Sequence, residues 1–234
     1  TGYVSITTGV GGETLTYNGA TSNDAHVATA DKYLDAITLG NASDGSGGLA
    51  SNYQLPTLNV ANAPISITPK TVSLAVAPKV YDASTDMTGY VSITTGVGGE
   101  TLTYNGATSN DAHVATAGKY LNAITLGNAS DGSGGLASNY QLPTLNVANA
   151  PISITPKTVS LAVAPKVYDA STDMTGYVSI TTGVGGETLT YNGATSNDAH
   201  VATAGKYLNA ITLGNASDGS CLLYTSPSPR DRIS

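Results

Sequence analysis

Lys70-Thr71-Val72-Ser73-Leu74-Ala75-Val76 alternates polar and apolar residues with a period of two, the pattern of a strand with one face against a core. Val91-Ser92-Ile93 and Leu102-Thr103-Tyr104 alternate likewise, and Gly96-Val97-Gly98-Gly99 between them can supply positive φ for a turn. Asn105-Gly106 follows directly as a two-residue hairpin signal. Val80-Tyr81 predicts another short strand, and Ser109-Asn110-Asp111 a turn. Residues 113–117 and 120–126 predict one long or two short strands around Gly118, where a bulge fits. Residues 128–135 read as a flexible loop, and residues 140–147 and 152–154 close the stretch as strands interrupted by Pro143 and Pro151. Seven or eight short strands with turn signals between them predict an all-β fold, an antiparallel, immunoglobulin-like sandwich. A helix over residues 114–126, in a β-grasp-like α+β unit, is the alternative.

Self-comparison shows that this stretch is one of three copies. Thr1-Gly2-Tyr3-Val4-Ser5-Ile6 returns at Thr88 and again at Thr175, a period of 87 residues. That is the length of a small domain rather than of a solenoid turn. The copies differ where Asp31 faces Gly118 and Gly205, and where Asp35 faces Asn122 and Asn209. Thr68-Pro69-Lys70 and Thr155-Pro156-Lys157 are natural joints, because proline donates no ladder hydrogen bond and holds the preceding residue extended. Cutting there gives a first repeat at residues 1–69 without its opening strands, a complete second repeat at 70–156, and a third at 157–220 without its closing strands. The third, lacking counterparts of residues 140–156, is expected to be less stable than the middle repeat.

After Ser220 the chain leaves the repeat and reads Cys221-Leu222-Leu223-Tyr224-Thr225-Ser226-Pro227-Ser228-Pro229-Arg230-Asp231-Arg232-Ile233-Ser234. This tail holds the only cysteine and both arginines, and its first eleven residues resemble a translated transposase-type sequencing adapter. Residues 221–234 are therefore set apart as non-native. Without them the repeats carry 7 lysines against 15 acidic residues. No basic stripe exists for phosphate, which argues against a nucleic-acid partner. The repeats hold no disulfide, so cohesion must come from packing. No apolar run is long enough for membrane insertion.

Lys79-Val80-Tyr81-Asp82-Ala83-Ser84-Thr85, Asn139-Tyr140-Gln141-Leu142 and the closing Ile154-Thr155-Pro156-Lys157 together resemble the YDG repeat of bacterial secreted adhesins. Those proteins are similar in organisation to filamentous haemagglutinins. The resemblance implies a secreted, extracellular location on the bacterial outer surface and a stalk or adhesin context, with no catalytic residues. Ala83 and Ala170 stand where that family usually has glycine, which is expected to alter the turn after Tyr-Asp.

No constellation for catalysis is evident, since a nucleophile needs an adjacent base and an oxyanion site, and no cofactor motif appears. His26, His113 and His200 recur once per repeat after an Asn-Asp turn and read as turn or edge residues rather than zinc ligands. Asn128 and Asp131 offer oxygens to calcium, but the run lacks the alternating acids of an EF-hand loop, so a plain loop is the simpler reading. Tyr81, Tyr104, Tyr120 and Tyr140 are expected to fill the core, with a sugar-stacking platform as the alternative. Asp82 is expected to form a turn. The sequence thus predicts non-catalytic spacer repeats whose partners are neighbouring repeats of the same chain. The alternative is a multivalent module for host or biofilm glycans or matrix proteins.

Overall fold

The computed structural model describes residues 2–216, so the tail at 221–234 lies outside the described residues. Among the described residues the regular structure is β, apart from two single-turn 3-10 segments at Ala50–Asn52 and Ala137–Asn139. In the first repeat β1 (Thr16–Ser22) pairs with β2 (Leu34–Gly40). The second repeat contains β3 (Lys70–Thr71), β4 (Ser73–Val76), β5 (Lys79–Val80), β6 (Val91–Thr94), β7 (Thr103–Ser109), β8 (Leu121–Gly127), β9 (Tyr140–Gln141) and β10 (Ile154–Thr155). The third contributes β11 (Ser160–Val163), β12 (Val178–Thr181), β13 (Thr190–Ser196) and β14 (Leu208–Gly214). The strands join in two-stranded ladders, β4 with β6, β7 with β8, β11 with β12, and β13 with β14.

The alternation around Val72 has the expected consequence. Val72 is buried, Ser73 and Ala75 face outward, and Leu74 and Val76 are half-buried. β6 repeats this with Val91 buried and Ser92 and Thr94 exposed. Two ladders depart from an all-antiparallel arrangement: β3 runs parallel to β9, and β5 runs parallel to β10. Opening and closing strands lie far apart in sequence, and a parallel pair needs only a connection long enough to return the chain to the same end.

Three local expectations are corrected. Asn105-Gly106 makes no hairpin turn, because both residues lie inside β7. Gly106 and its counterparts Gly19 and Gly193 have φ of 63°, 64° and 61°. The register slips at the same place in β1–β2, between Asn18 and Thr21, and in β13–β14, between Asn192 and Thr195. A left-handed glycine there absorbs an extra residue as a bulge. Residues 113–117 form no strand, since a turn precedes β8 and Gly118, at φ 66°, belongs to that turn. Nor does a helix cover residues 114–126, which the turn and β8 occupy.

The alanine after Tyr-Asp sits in a left-handed turn. Ala83 and Ala170 take φ of 64° and 61°, the left-handed conformation that glycine adopts without a Cβ clash. Ala83→Gly is therefore expected to stabilise the chain by about 0.5–1 kcal/mol, the relieved strain exceeding the added chain entropy. Urea unfolding of the full chain measures it. An unchanged or lower midpoint would show that the turn carries no strain.

Compactness divides the chain into two units, each taking part of the second repeat: Thr1–Ser73 with Ile93–Asn105 and Thr125–Thr144, and Leu74–Ser92 with Gly106–Ile124 and Leu145–Ser234. In the first unit Val72 and Tyr140 are buried. In the second, Met87, Ala107, Leu121 and Ala150 are wholly buried, and Met174, Val178 and Ala194 form a further cluster against Tyr177, Tyr191, Leu208 and Ile211. Side chains buried as completely as Met87 and Leu121 contribute roughly 2–3 kcal/mol each.

Candidate functional site

The polar residues that recur in every repeat are organised around turns. Lys79 leaves β5 and turns inward, its side chain only 3% exposed. Its ammonium pairs with Asp82 Oδ1 at 2.8 Å and donates to the carbonyls of Ser84 at 2.9 Å and Asp86 at 2.7 Å. All three donors of the ammonium are thereby used, which is what makes burial of this charge tolerable. The resulting staple holds the Tyr-Asp-Ala turn in its left-handed form. Lys119, also buried, donates to the carbonyls of Val114, at 2.7 Å, and Thr116, closing the turn before β8. Lys32 does the same in the first repeat, with Val27 and Thr29.

His113 lies at the turn expected of it. Its backbone N–H donates to Asp111 Oδ1 at 2.6 Å, and its exposed ring stacks on Tyr81 with centroids 6.1 Å apart. That backbone bond holds the Asp111 carboxyl below the usual carboxylate range. Asp82 is the turn residue the sequence suggests, accepting the Ser84 N–H at 3.0 Å as well as the Lys79 ammonium.

The two calcium candidates are engaged by the protein itself. Asp131 Oδ1 accepts the Ser133 N–H at 3.0 Å, and Oδ2 accepts the Thr101 hydroxyl at 2.8 Å. Asn128 Oδ1 accepts the Ala137 N–H at 2.9 Å. A loop expected to be flexible is thus tied to the chain before β7 by its own side chains. Among the described residues no group of three or more His, Cys, Asp or Glu is placed to hold a metal.

Chiefly the Ser133 N–H, and then the hydroxyls of Thr101 and Ser133, bring the Asp131 carboxyl from 3.8 down to about 2. Asp44 is held at about 2 in the same way by Ser46 and Thr14. A carboxyl with a depressed folded pKa binds protons more tightly when unfolded, so its contribution is complete above 3.8 and is lost as pH falls toward 2. Local protection of residues 128–137 should therefore collapse over that interval, and Asp131→Asn should flatten the response. Hydrogen exchange measured between about pH 5 and pH 2 checks this; an acid response identical in the variant would remove the role given to Asp131.

Of the four tyrosines one is buried and three are half-buried. Tyr140 is buried and donates to Glu100 Oε2 at 2.5 Å; burial first, and then the neighbouring carboxylate, push its phenol up. Tyr104 and Tyr120 are half-buried, in β7 and directly before β8. Tyr81 is half-buried and donates to Glu187 of the third repeat. A second contact joins the first two repeats: Asn139 Oδ1 accepts the Val27 N–H at 2.8 Å, and its amide nitrogen lies 2.9 Å from His26 Nδ1. Sequence reasoning passed over the buried lysines and these joints. One signal was present, since Lys32, Lys119 and Lys206 occupy one repeat position, and Lys79 and Lys166 another, in a chain with few lysines.

No helix among the described residues is long and apolar enough to cross a membrane. Comparison with known families, curated proteins and solved structures finds no match to this chain.

Proposed function

We propose that the chain is a run of non-catalytic spacer repeats from a large secreted bacterial surface adhesin of the YDG type. Each 87-residue repeat, cut at Thr68-Pro69-Lys70 and Thr155-Pro156-Lys157, is in this reading a sandwich whose opening strands run parallel to its closing ones. The observation that carries the reading is that repeats bond to repeats through side chains: Asn139 with His26 and Val27, and Tyr81 with Glu187. Side-chain bonds of this kind restrain rotation at a joint, which is what a spacer requires. The loop oxygens that a ligand would use are already taken by Ser133, Thr101 and Ala137, which favours a structural role over a binding one.

The test is binding of the full chain, shown to be folded, to an array of glycans and matrix proteins. Silence is the expected result. Reproducible binding that strengthens when the chain is displayed in several copies would overturn the spacer reading in favour of a multivalent adhesive module, because repeated weak sites gain through avidity.

A further inference from the structure

The joint between the first and second repeats is closed by one side-chain amide, and its geometry fixes where the protons lie. Asn139 Oδ1 accepts the Val27 N–H at 2.8 Å. A backbone N–H only donates, so the amide oxygen must face Val27 and the amide nitrogen must face His26. That nitrogen lies 2.9 Å from His26 Nδ1. An amide nitrogen also only donates, so Nδ1 has to be the acceptor and the ring carries its single proton on Nε2. The bond therefore exists only with a neutral imidazole.

Both sides of the contact are anchored by bonds of their own. In the first repeat the His26 N–H donates to Asp24 Oδ1 at 2.6 Å, and the Lys32 ammonium donates to the Val27 carbonyl at 2.8 Å. In the second, Asn139 ends the 3-10 segment Ala137–Asn139, its N–H on the Leu136 carbonyl at 2.9 Å, and the chain passes straight into β9. The partners thus meet at fixed positions, and a change at either nitrogen is not absorbed by the turn around it.

A proton taken up by His26 adds a second ring N–H, at Nδ1, aimed at the Asn139 amide nitrogen. Two donors then oppose each other. Turning the amide over does not help, because its NH2 would then face the Val27 N–H. The charged groups on the histidine's own turn are the Asp24 carboxylate, which attracts a charged ring, and the Lys32 ammonium, which repels it and is fixed on the carbonyls of Val27 and Thr29. From the second repeat the residue against the ring, Asn139, is uncharged, and the phenol of Tyr140 beside it is bonded to Glu100 Oε2 at 2.5 Å. The His26 N–H, before any other group, holds the Asp24 carboxyl below its ordinary 3.8. Asp24 therefore stays ionised through the range of about pH 5 to 8 in which imidazoles titrate.

We propose that this joint is a pH switch: neutral His26 closes it on Asn139, and a proton on His26 Nδ1 releases it, so that the first two repeats turn more freely in mild acid. The inference rests on the spacer reading, since it assigns a regulation to the joint that carries that reading. The sign follows from competition. Proton and Asn139 claim the same lone pair, so closure is complete at the upper end of the range and is lost as pH falls.

Hydrogen exchange of the full chain followed by NMR between about pH 8 and pH 5 tests this, with the Val27 amide reporting the joint and the His26 ring carbons reporting protonation. His113 and His200 lie against Tyr81 and Tyr168, so the readout has to be local to His26. Relative to the intrinsic rate at each pH, Val27 protection should fall about fivefold as His26 takes up its proton, the contribution of one hydrogen bond. His26→Asn, whose side-chain oxygen replaces Nδ1 as an acceptor that does not titrate, should keep Val27 protected throughout. Asn139→Asp should reverse the response, because a carboxylate accepts from both the Val27 N–H and a charged ring. Protection of Val27 that ignores pH while the ring titrates overturns the switch and leaves the joint standing, as does a ring that stays neutral over the whole range. A His26→Asn chain that still loses protection assigns the response to another group and overturns the switch as well. Absence of Val27 protection at every pH removes the joint itself, and with it the observation that carries the spacer reading.

Discussion

Replacing Gly135 by alanine is expected to destabilise the second repeat by about 3 kcal/mol, at the upper end of what overpacking usually costs. A Cβ at this position would stand 1.9 Å from the Thr101 carbonyl oxygen, 3.0 Å from its carbon and 3.4 Å from its nitrogen. All three are backbone atoms, so no rotamer change relieves the clash. Thr101 cannot withdraw cheaply, because its N–H and hydroxyl hold Ser133 and Asp131, and Ala129 N–H donates to the Gly135 carbonyl at 2.8 Å. Moving the segment at Thr101 therefore breaks the bonds that secure the whole loop. Gly132→Ala is the control: nothing lies within 4 Å of its Cβ, but its φ of 79° imposes strain of about 1 kcal/mol. Thermal unfolding with hydrogen exchange across residues 128–137 distinguishes the two. Equal effects would mean that the close approach of Gly135 to Thr101 is not what fixes the loop.

Gly135 also shows where sequence reasoning stops. The alternation of Val72, Leu74 and Val76 is a local property, and the burial it predicts is found. Glycine in Asn105-Gly106 does signal positive φ, and φ is positive; but a hairpin turn and a bulge both need that, and only the partner strand decides between them. Gly135 needs no unusual φ, and its requirement comes from Thr101, in the segment before β7 and more than thirty residues earlier. The parallel pairing of β3 with β9 and of β5 with β10 is likewise set by chain segments some seventy residues apart. Of the candidate site, the turn roles of His113 and Asp82 were legible because a carboxylate there accepts the backbone N–H two residues on, Asp111 from His113 and Asp82 from Ser84. The burial of Lys79 was not, since an Asp three residues later suggests a surface pair, whereas the ammonium lies under the turn.

That lysine supports the second large effect. Lys79→Met keeps the length and apolar stem of the side chain but removes the ammonium, leaving the carbonyls of Ser84 and Asp86 without their donor. Asp82 is 47% exposed and can be rehydrated, so the cost falls mainly on the two carbonyls, at roughly 1–3 kcal/mol each when buried. The expected loss is about 3 kcal/mol, with the Tyr81 to Asp86 turn the first to exchange its amides. Lys166 makes the same bonds in the third repeat, to Asp169 at 2.8 Å and to the carbonyls of Ser171 at 3.2 Å and Asp173 at 2.6 Å. It lines an open cleft, however, and its side chain is 11% exposed against 3% for Lys79. Water can replace its ammonium there, so Lys166→Met should cost only about 1 kcal/mol. Urea unfolding of both variants reads this directly. Equal costs for Lys79→Met and Lys166→Met would mean that the cleft does not admit water to the staple.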